Sequence, residues 1–363
     1  MTLNPAVTTL PSAHPLVDGR TAGAPLIAAY RGGRPASRPV WFMRQAGRSL
    51  PEYREVRRGI GMLESCLMPD LAAEITLQPV RRHRVDAAIL FSDIVVPLKL
   101  AGVDVQIVAG TGPVVADPVR TTADVIGLPA LDPAALAPVA AEAAAVAAEL
   151  GATPLIGFAG APFTLASYLV EGGPSRDHRR TKTLMHAEPE LWHALAEWVA
   201  GVTGAFLRAQ ILAGASAVQV FDSWAGALSL PDYQRFVAPH SAAVFAAVAD
   251  LGVPRVHFGV GTGELLTAMR DVGADVVGID HRVPLDVATR RLGGNTPVQG
   301  NIDPALLFAG RDALHAHCAD VIRRGLTAPG HVVNLGHGVP PDTDPDVLTE
   351  LVEFIHALPD PEP

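Results

Sequence analysis

Cysteine is nearly absent from this chain: Cys66 and Cys318 are the only two in 363 residues. Two are too few for a disulfide framework, and the expectation is a reduced, cytoplasmic protein. Lysine is scarcer than the length implies, with Lys99 and Lys182 alone, so almost every cation is arginine. That skew carries no functional information by itself. Residues 1–15 have neither the basic start nor the apolar centre of a secretory leader. No apolar stretch reaches the roughly 20 residues that span a bilayer. The alanine-rich run from 134 to 150 is interrupted by acidic side chains, as in a soluble helix. A positive balance is also missing: 28 basic residues stand against 37 acidic ones, a formal charge of −9. Nucleic acid and anionic membranes are therefore poor partners. A polyanionic ligand would have to be gripped by locally clustered arginine, because the field of the whole molecule repels it.

What is present is a large apolar fraction, 49%, enough for one extensive core. The chain reads as a single catalytic domain over residues 16–358, with loose ends at 1–15 and 359–363. Eight short apolar runs end in polar or turn-forming residues: 40–43, 87–91, 154–158, 217–221, 255–258, 276–279, 296–299 and 331–335. Helical patterns separate them. Asp132 is placed to cap a helix that has Pro133 at its first position and Gly151 past its end. A second runs from Pro189 and stops at Gly214. Strands alternating with helices pair in parallel, and eight such units predict an α/β fold, a (β/α)8 TIM barrel. A doubly wound open sheet is the competing architecture.

In a barrel, chemistry collects at the C-terminal strand ends, and unusual side chains stand there. Arg44 and Arg48 follow the first run, in Trp41-Phe-Met-Arg-Gln-Ala-Gly-Arg48; paired guanidiniums suit carboxylates. Asp93 follows the second run, Ser223 the fourth and His337 the eighth. Each has a plain alternative. Asp93 could cap a helix, Ser223 could do likewise, and Tyr168 could be a core residue on a helix face. His337, between Gly336 and Gly338, could be a turn histidine. Ser223 lacks the Gly-x-Ser-x-Gly elbow of a nucleophile. The segment His257-Phe-Gly-Val-Gly-Thr-Gly263 mimics a dinucleotide fingerprint, with Asp280 about twenty residues further on. Glu264 stands where its third glycine belongs.

Six segments, in order, carry a resemblance to the uroporphyrinogen decarboxylase family. They are the arginine segment with Leu-Pro-Glu-Tyr53, Ile89-Leu-Phe-Ser-Asp-Ile94, Gly157–Gly172, Phe221-Asp-Ser-Trp-Ala-Gly226, Gly300-Asn-Ile-Asp-Pro304 and Asn334-Leu-Gly-His-Gly338. The resemblance implies the same barrel and the decarboxylation of a tetrapyrrole bearing eight carboxylates, uroporphyrinogen III, to coproporphyrinogen III. It implies no cofactor, no metal and a homodimer. It carries Arg44, Gln45, Ala46, Gly47, Arg48, Asp93, Tyr168, Ser223 and His337 as substrate-binding positions. Asp93 and Arg44 are the catalytic candidates; Tyr53, Arg57 and Phe221 are secondary. His281 departs from the pattern, since the family commonly has tryptophan there. Two other readings remain: a corrinoid-linked methyltransferase, whose zinc would need a cysteine where Gly259 stands, and a tetrapyrrole-binding protein without activity.

Overall fold

The computed structural model describes residues 9–359. Its centre is a curled parallel sheet of seven strands: β1 (Ala88–Ile89), β4 (Leu155–Gly160), β5 (Ala217–Asp222), β6 (Arg255–Gly259), β7 (Val276–Gly278), β8 (Val298–Gln299) and β9 (His331–Val332), paired in that order. The two remaining strands, β2 (Val105–Val108) and β3 (Gly112–Val115), form an antiparallel hairpin outside the sheet. Helices follow most strands, and the whole is TIM-barrel-like.

The strand expected over 40–43 is reduced to a single bridge, Val40 beside Val333. The cause is local. Pro39 has no amide hydrogen, and side chains take the amides that a ladder would use. Val40 N–H donates to Asp86 Oδ2 (2.8 Å), Phe42 N–H to Gln45 Oε1 (2.9 Å) and Met43 N–H to Asn334 Oδ1 (3.1 Å). The segment still has backbone bonds to both sheet edges, Val333 N–H to Pro39 O (2.9 Å) and Asp86 N–H to Val40 O (2.8 Å).

Alternation along the strands divides the core. Ile156 and Phe158 of β4 join Ala217 of β5 in one cluster, while Leu155, Ala159, Val218 and Val220 face the surrounding helices. A buried polar chain crosses the inner side: Trp41 Nε1 donates to Tyr30 Oη (3.2 Å), Tyr30 to Gln299 Oε1 (2.5 Å) and Gln299 Nε2 to Gln219 Oε1 (2.8 Å). Each donor has a partner, as burial requires.

The punctuation of the helices follows the sequence. Asp132 Oδ1 accepts from Ala134 N–H at 2.9 Å, a 3-10 turn occupies Pro133–Leu136, and the helix Ala137–Leu150 ends at Gly151 with φ of 61°. The stretch Pro133–Leu150 is long and apolar enough to cross a membrane by length and composition. One face of it is buried, through Val139, Glu142, Ala143, Val146 and Ala147. Of the expected loose ends, residues 1–8 and 360–363 lie outside the described residues. Within 9–15, His14 is buried.

Candidate active site

Arg44 leaves the Val40 segment in the left-handed region, φ 61°, which a bulky residue adopts at a cost. The turn is held by Gln45. Its Oε1 takes Phe42 N–H, and its Nε2 donates to Ala87 O at 3.0 Å. The Gln45 side chain, fully buried, is thus occupied by the scaffold and offers a ligand only its backbone. Arg48 is exposed one turn further on.

Asp93 sits just past β1, where the chain turns into the helix Val96–Leu100. Its Oδ1 accepts from Val95 N–H at 3.0 Å. The turn-capping role is therefore present, but it occupies one oxygen only. Burial raises the Asp93 carboxyl above its ordinary pKa, while the Val95 amide and Arg44 oppose the rise. Tyr168 lies on the buried helix Pro162–Glu171. Burial and then the charge of Asp93 push its phenol up to about 12, against Arg44. His337 is held below the usual histidine value by burial first, then by Arg44 and His281. Arg44, Asp93, Tyr168 and His337 come from four separate segments and interact electrostatically around one end of the sheet.

Close packing fixes two of these against each other. A methyl group on Gly338 would fall 2.4 Å from Arg44 Cδ, and one on Gly336 would fall 2.2 Å from the His281 nitrogen. His337 is thereby flanked by Arg44 on one side and His281 on the other. Phe158, Phe221 and Phe258 supply an apolar wall by edge contacts, with centroids 5.4 and 5.8 Å apart.

Ser223 is half-buried after β5. The neighbouring Trp224 lies over Tyr168, with ring centroids 4.1 Å apart, and over His178 at 4.6 Å. Trp224 N–H donates to Thr164 Oγ1 (3.3 Å), and Thr164 donates to Asp222 Oδ1 (2.9 Å). This links the Ser223 loop to the Tyr168 helix. The secondary candidates are packed further back. Tyr53 is buried edge-on to Phe91 at 5.7 Å, and Arg57 bonds Tyr53 Oη and Ile60 O.

Sequence reasoning missed Trp224 and His178 beside Tyr168. Cys66 likewise belongs to none of the six motifs. The structure sets its buried thiol against the backbone of Asp93, where burial raises its pKa far above normal. Only the meeting of distant segments reveals these contacts.

The two sequence mimics are accounted for. Asp280 Oδ2 accepts from Gly261 N–H at 2.6 Å and from Arg282 Nη1 at 2.5 Å. The acid and the loop amide of the supposed dinucleotide fingerprint thus satisfy one another. A methyl group at Gly259 would fall 2.5 Å from Thr262 Cγ2, and glycine offers no thiolate to a metal there. Among the described residues no three His, Cys, Asp or Glu side chains converge to hold a metal.

Comparison with known proteins places the whole chain in a family. A family model described as uroporphyrinogen decarboxylase matches residues 21–358. A uroporphyrinogen decarboxylase of Arthrobacter sp. is 67% identical over 342 residues, covering 94% of this chain and 99% of the relative. One from Rhodococcus opacus is 64% identical over 340 residues, covering 92% and 96%. Among solved structures, a methyltransferase from Methanosarcina mazei superposes with a TM-score of 0.78 at 18% identity, over 92% of this chain and 98% of that one. Likeness at that identity speaks for the fold alone.

Proposed function

The chain belongs to the uroporphyrinogen decarboxylase family, and from that premise we propose how its pocket works. Membership makes it a carboxy-lyase of porphyrin biosynthesis. In our reading the substrate is uroporphyrinogen III, and its four acetate side chains become methyls to give coproporphyrinogen III. What supports the reading is the meeting of Arg44, Asp93, Tyr168 and His337 at one end of the sheet, each from a different segment.

Loss of CO2 from an acetate leaves an electron pair that needs a sink. A pyrrole provides one without a cofactor. Protonation of the ring carbon beside nitrogen gives a cation, and the acetate C–C bond breaks with its electrons flowing into the ring. CO2 leaves, an exocyclic methylene takes up a proton to become methyl, and release of the ring proton restores the pyrrole. One proton is consumed per CO2. Asp93 is suited to accept pyrrole N–H groups through its second oxygen and to offset the ring cation. Burial disfavours that anion, and the Val95 amide and Arg44 counter the effect.

Arg44 and Arg48 grip carboxylates, with the backbone from Gln45 to Gly47 between them. A guanidinium holds its proton at neutral pH, so Arg44 serves as a clamp and not as the acid. His337, whose pKa burial and Arg44 lower, is fitted to hydrogen-bond substrate or pass a proton. Tyr168 and Ser223 add polar contacts and Phe221 an apolar one, with Tyr53 and Arg57 as outer support. The same reading takes residues 16–358 as one barrel closed by Val40–Met43 as an eighth stave, in a cytoplasmic homodimer. The test is anaerobic incubation with uroporphyrinogen III, then oxidation and chromatography. Porphyrins with seven down to four carboxylates are the expected products; unchanged substrate would falsify the proposal.

A further inference from the structure

The segment after β7 reaches the same end of the sheet and is unusually well fixed. Asp280 is buried; besides Gly261 N–H and Arg282 Nη1 it accepts from Arg282 N–H at 3.1 Å. Asn301 Nδ2 donates to Asp280 O (2.8 Å) and to Val283 O (2.7 Å). Both ends of residues 280–283 are therefore anchored, and the two side chains between the anchors are cationic or protonatable. The His281 backbone packs on Gly336, beside His337. His281 Nδ1 is buried and has no partner. Arg282 has 54% of its side chain exposed and uses Nη1 on Asp280, on which only 2% is exposed.

Three separate segments thus bring Arg44, His337, His281 and Arg282 together at this end of the sheet, with the buried Asp280 as the acid beside Arg282. In a molecule with a formal charge of −9, the two guanidiniums of Arg44 and Arg282 are where an anion is drawn. We propose that His281 and Arg282 form a carboxylate subsite at the rim, holding an outer carboxylate of the tetrapyrrole so that the ring is seated over Asp93. The inference rests on the tetrapyrrole reading above and deepens it. His281 and Arg282 are positioning residues that set substrate orientation, while the reacting ring lies with Asp93 and Arg44. Arg282 supplies the forked donors that suit a carboxylate, and the anchors at Asp280 and Val283 keep the fork aimed.

The experiment measures KM and kcat for uroporphyrinogen III, anaerobically, in the parent chain and in Arg282→Gln, Arg282→Lys and His281→Phe. Loss of a charge-assisted bond predicts a KM raised about tenfold or more in Arg282→Gln, with kcat changed far less. Arg282→Lys keeps the charge and recovers part of the loss. Added salt raises the parent's KM more steeply than that of Arg282→Gln. His281→Phe raises KM in the same sense. KM values within twofold of the parent in both Arg282→Gln and His281→Phe would overturn the subsite while leaving the decarboxylase reading intact. A loss confined to kcat, or accompanied by a lowered melting temperature, would assign the pair to loop support and overturn it too. A parent chain that leaves uroporphyrinogen unchanged would remove the underlying reading and the subsite together.

Discussion

The two glycines around His337 differ in what stands against them, and this separates activity from stability at single positions. A methyl group at residue 338 meets the Arg44 stem, which can rotate away; one at 336 meets the His281 backbone, which cannot. Gly338→Ala should therefore displace Arg44, lowering kcat/KM by about tenfold or more with little change in melting temperature. Gly336→Ala should instead lower the melting temperature, through overpacking of about 1–3 kcal/mol. Steady-state kinetics beside thermal melts of both variants check this; equal effects would contradict the packing described. At this scale the sequence was readable wherever a side chain follows an apolar run. Arg44, Asp93 and His337 could be named that way, and the six motifs added Tyr168. It was unreadable where a side chain turns inward or meets a distant segment. Gln45 is occupied by Phe42 N–H and Ala87 O, and Cys66 reaches Asp93 from outside every motif. No spacing rule reports either contact.

Among the elements, the helix Ala137–Leu150 reads from its acidic residues as a soluble helix. Glu142 is instead buried, its Oε1 3.4 Å from Thr76 Oγ1 on the helix Pro69–His83, and its Oε2 has no partner. Burial raises the Glu142 carboxyl well above its ordinary pKa. An acid whose folded pKa is raised stabilises the fold fully below its unfolded value, near 4.5, and that contribution is lost as pH rises through the folded value. Glu142→Gln removes the titration and keeps the shape. The variant should match the parent near pH 4 and become progressively more stable than it toward pH 8, as urea denaturation at several pH values would show. A parent that is the more stable at pH 8 would mean that Glu142 is ionised and held by a partner. Strand and helix order was legible because period and punctuation are local properties. The lost ladder at Val40 was not, since it depends on Asp86, Gln45 and Asn334 taking its amides. The hairpin of β2 and β3 also went unread; it is short and partly exposed.

For the whole molecule, an acidic protein acting on a polyanion must concentrate its cations at one mouth, and in our proposal Arg44, Arg48 and Arg282 do so. Gly259 supplies no thiolate at its strand end, so exhaustive chelation should leave turnover unchanged; loss of activity restored by added zinc would revive the methyltransferase alternative. The barrel-like architecture could be argued from eight apolar runs alone, whereas the pocket's polarity required the fold. The most direct test uses uroporphyrinogen III labelled in its acetate carboxyls, with the parent and Asp93→Asn compared at equal concentration after circular dichroism has shown both to be folded. Asparagine caps as well as aspartate, so the turn at Val95 is kept and only the charge is removed. The account predicts release of all four acetate labels by the parent and release slower by about a hundredfold or more in Asp93→Asn. A folded Asp93→Asn protein that frees labelled CO2 at the parental rate would contradict it.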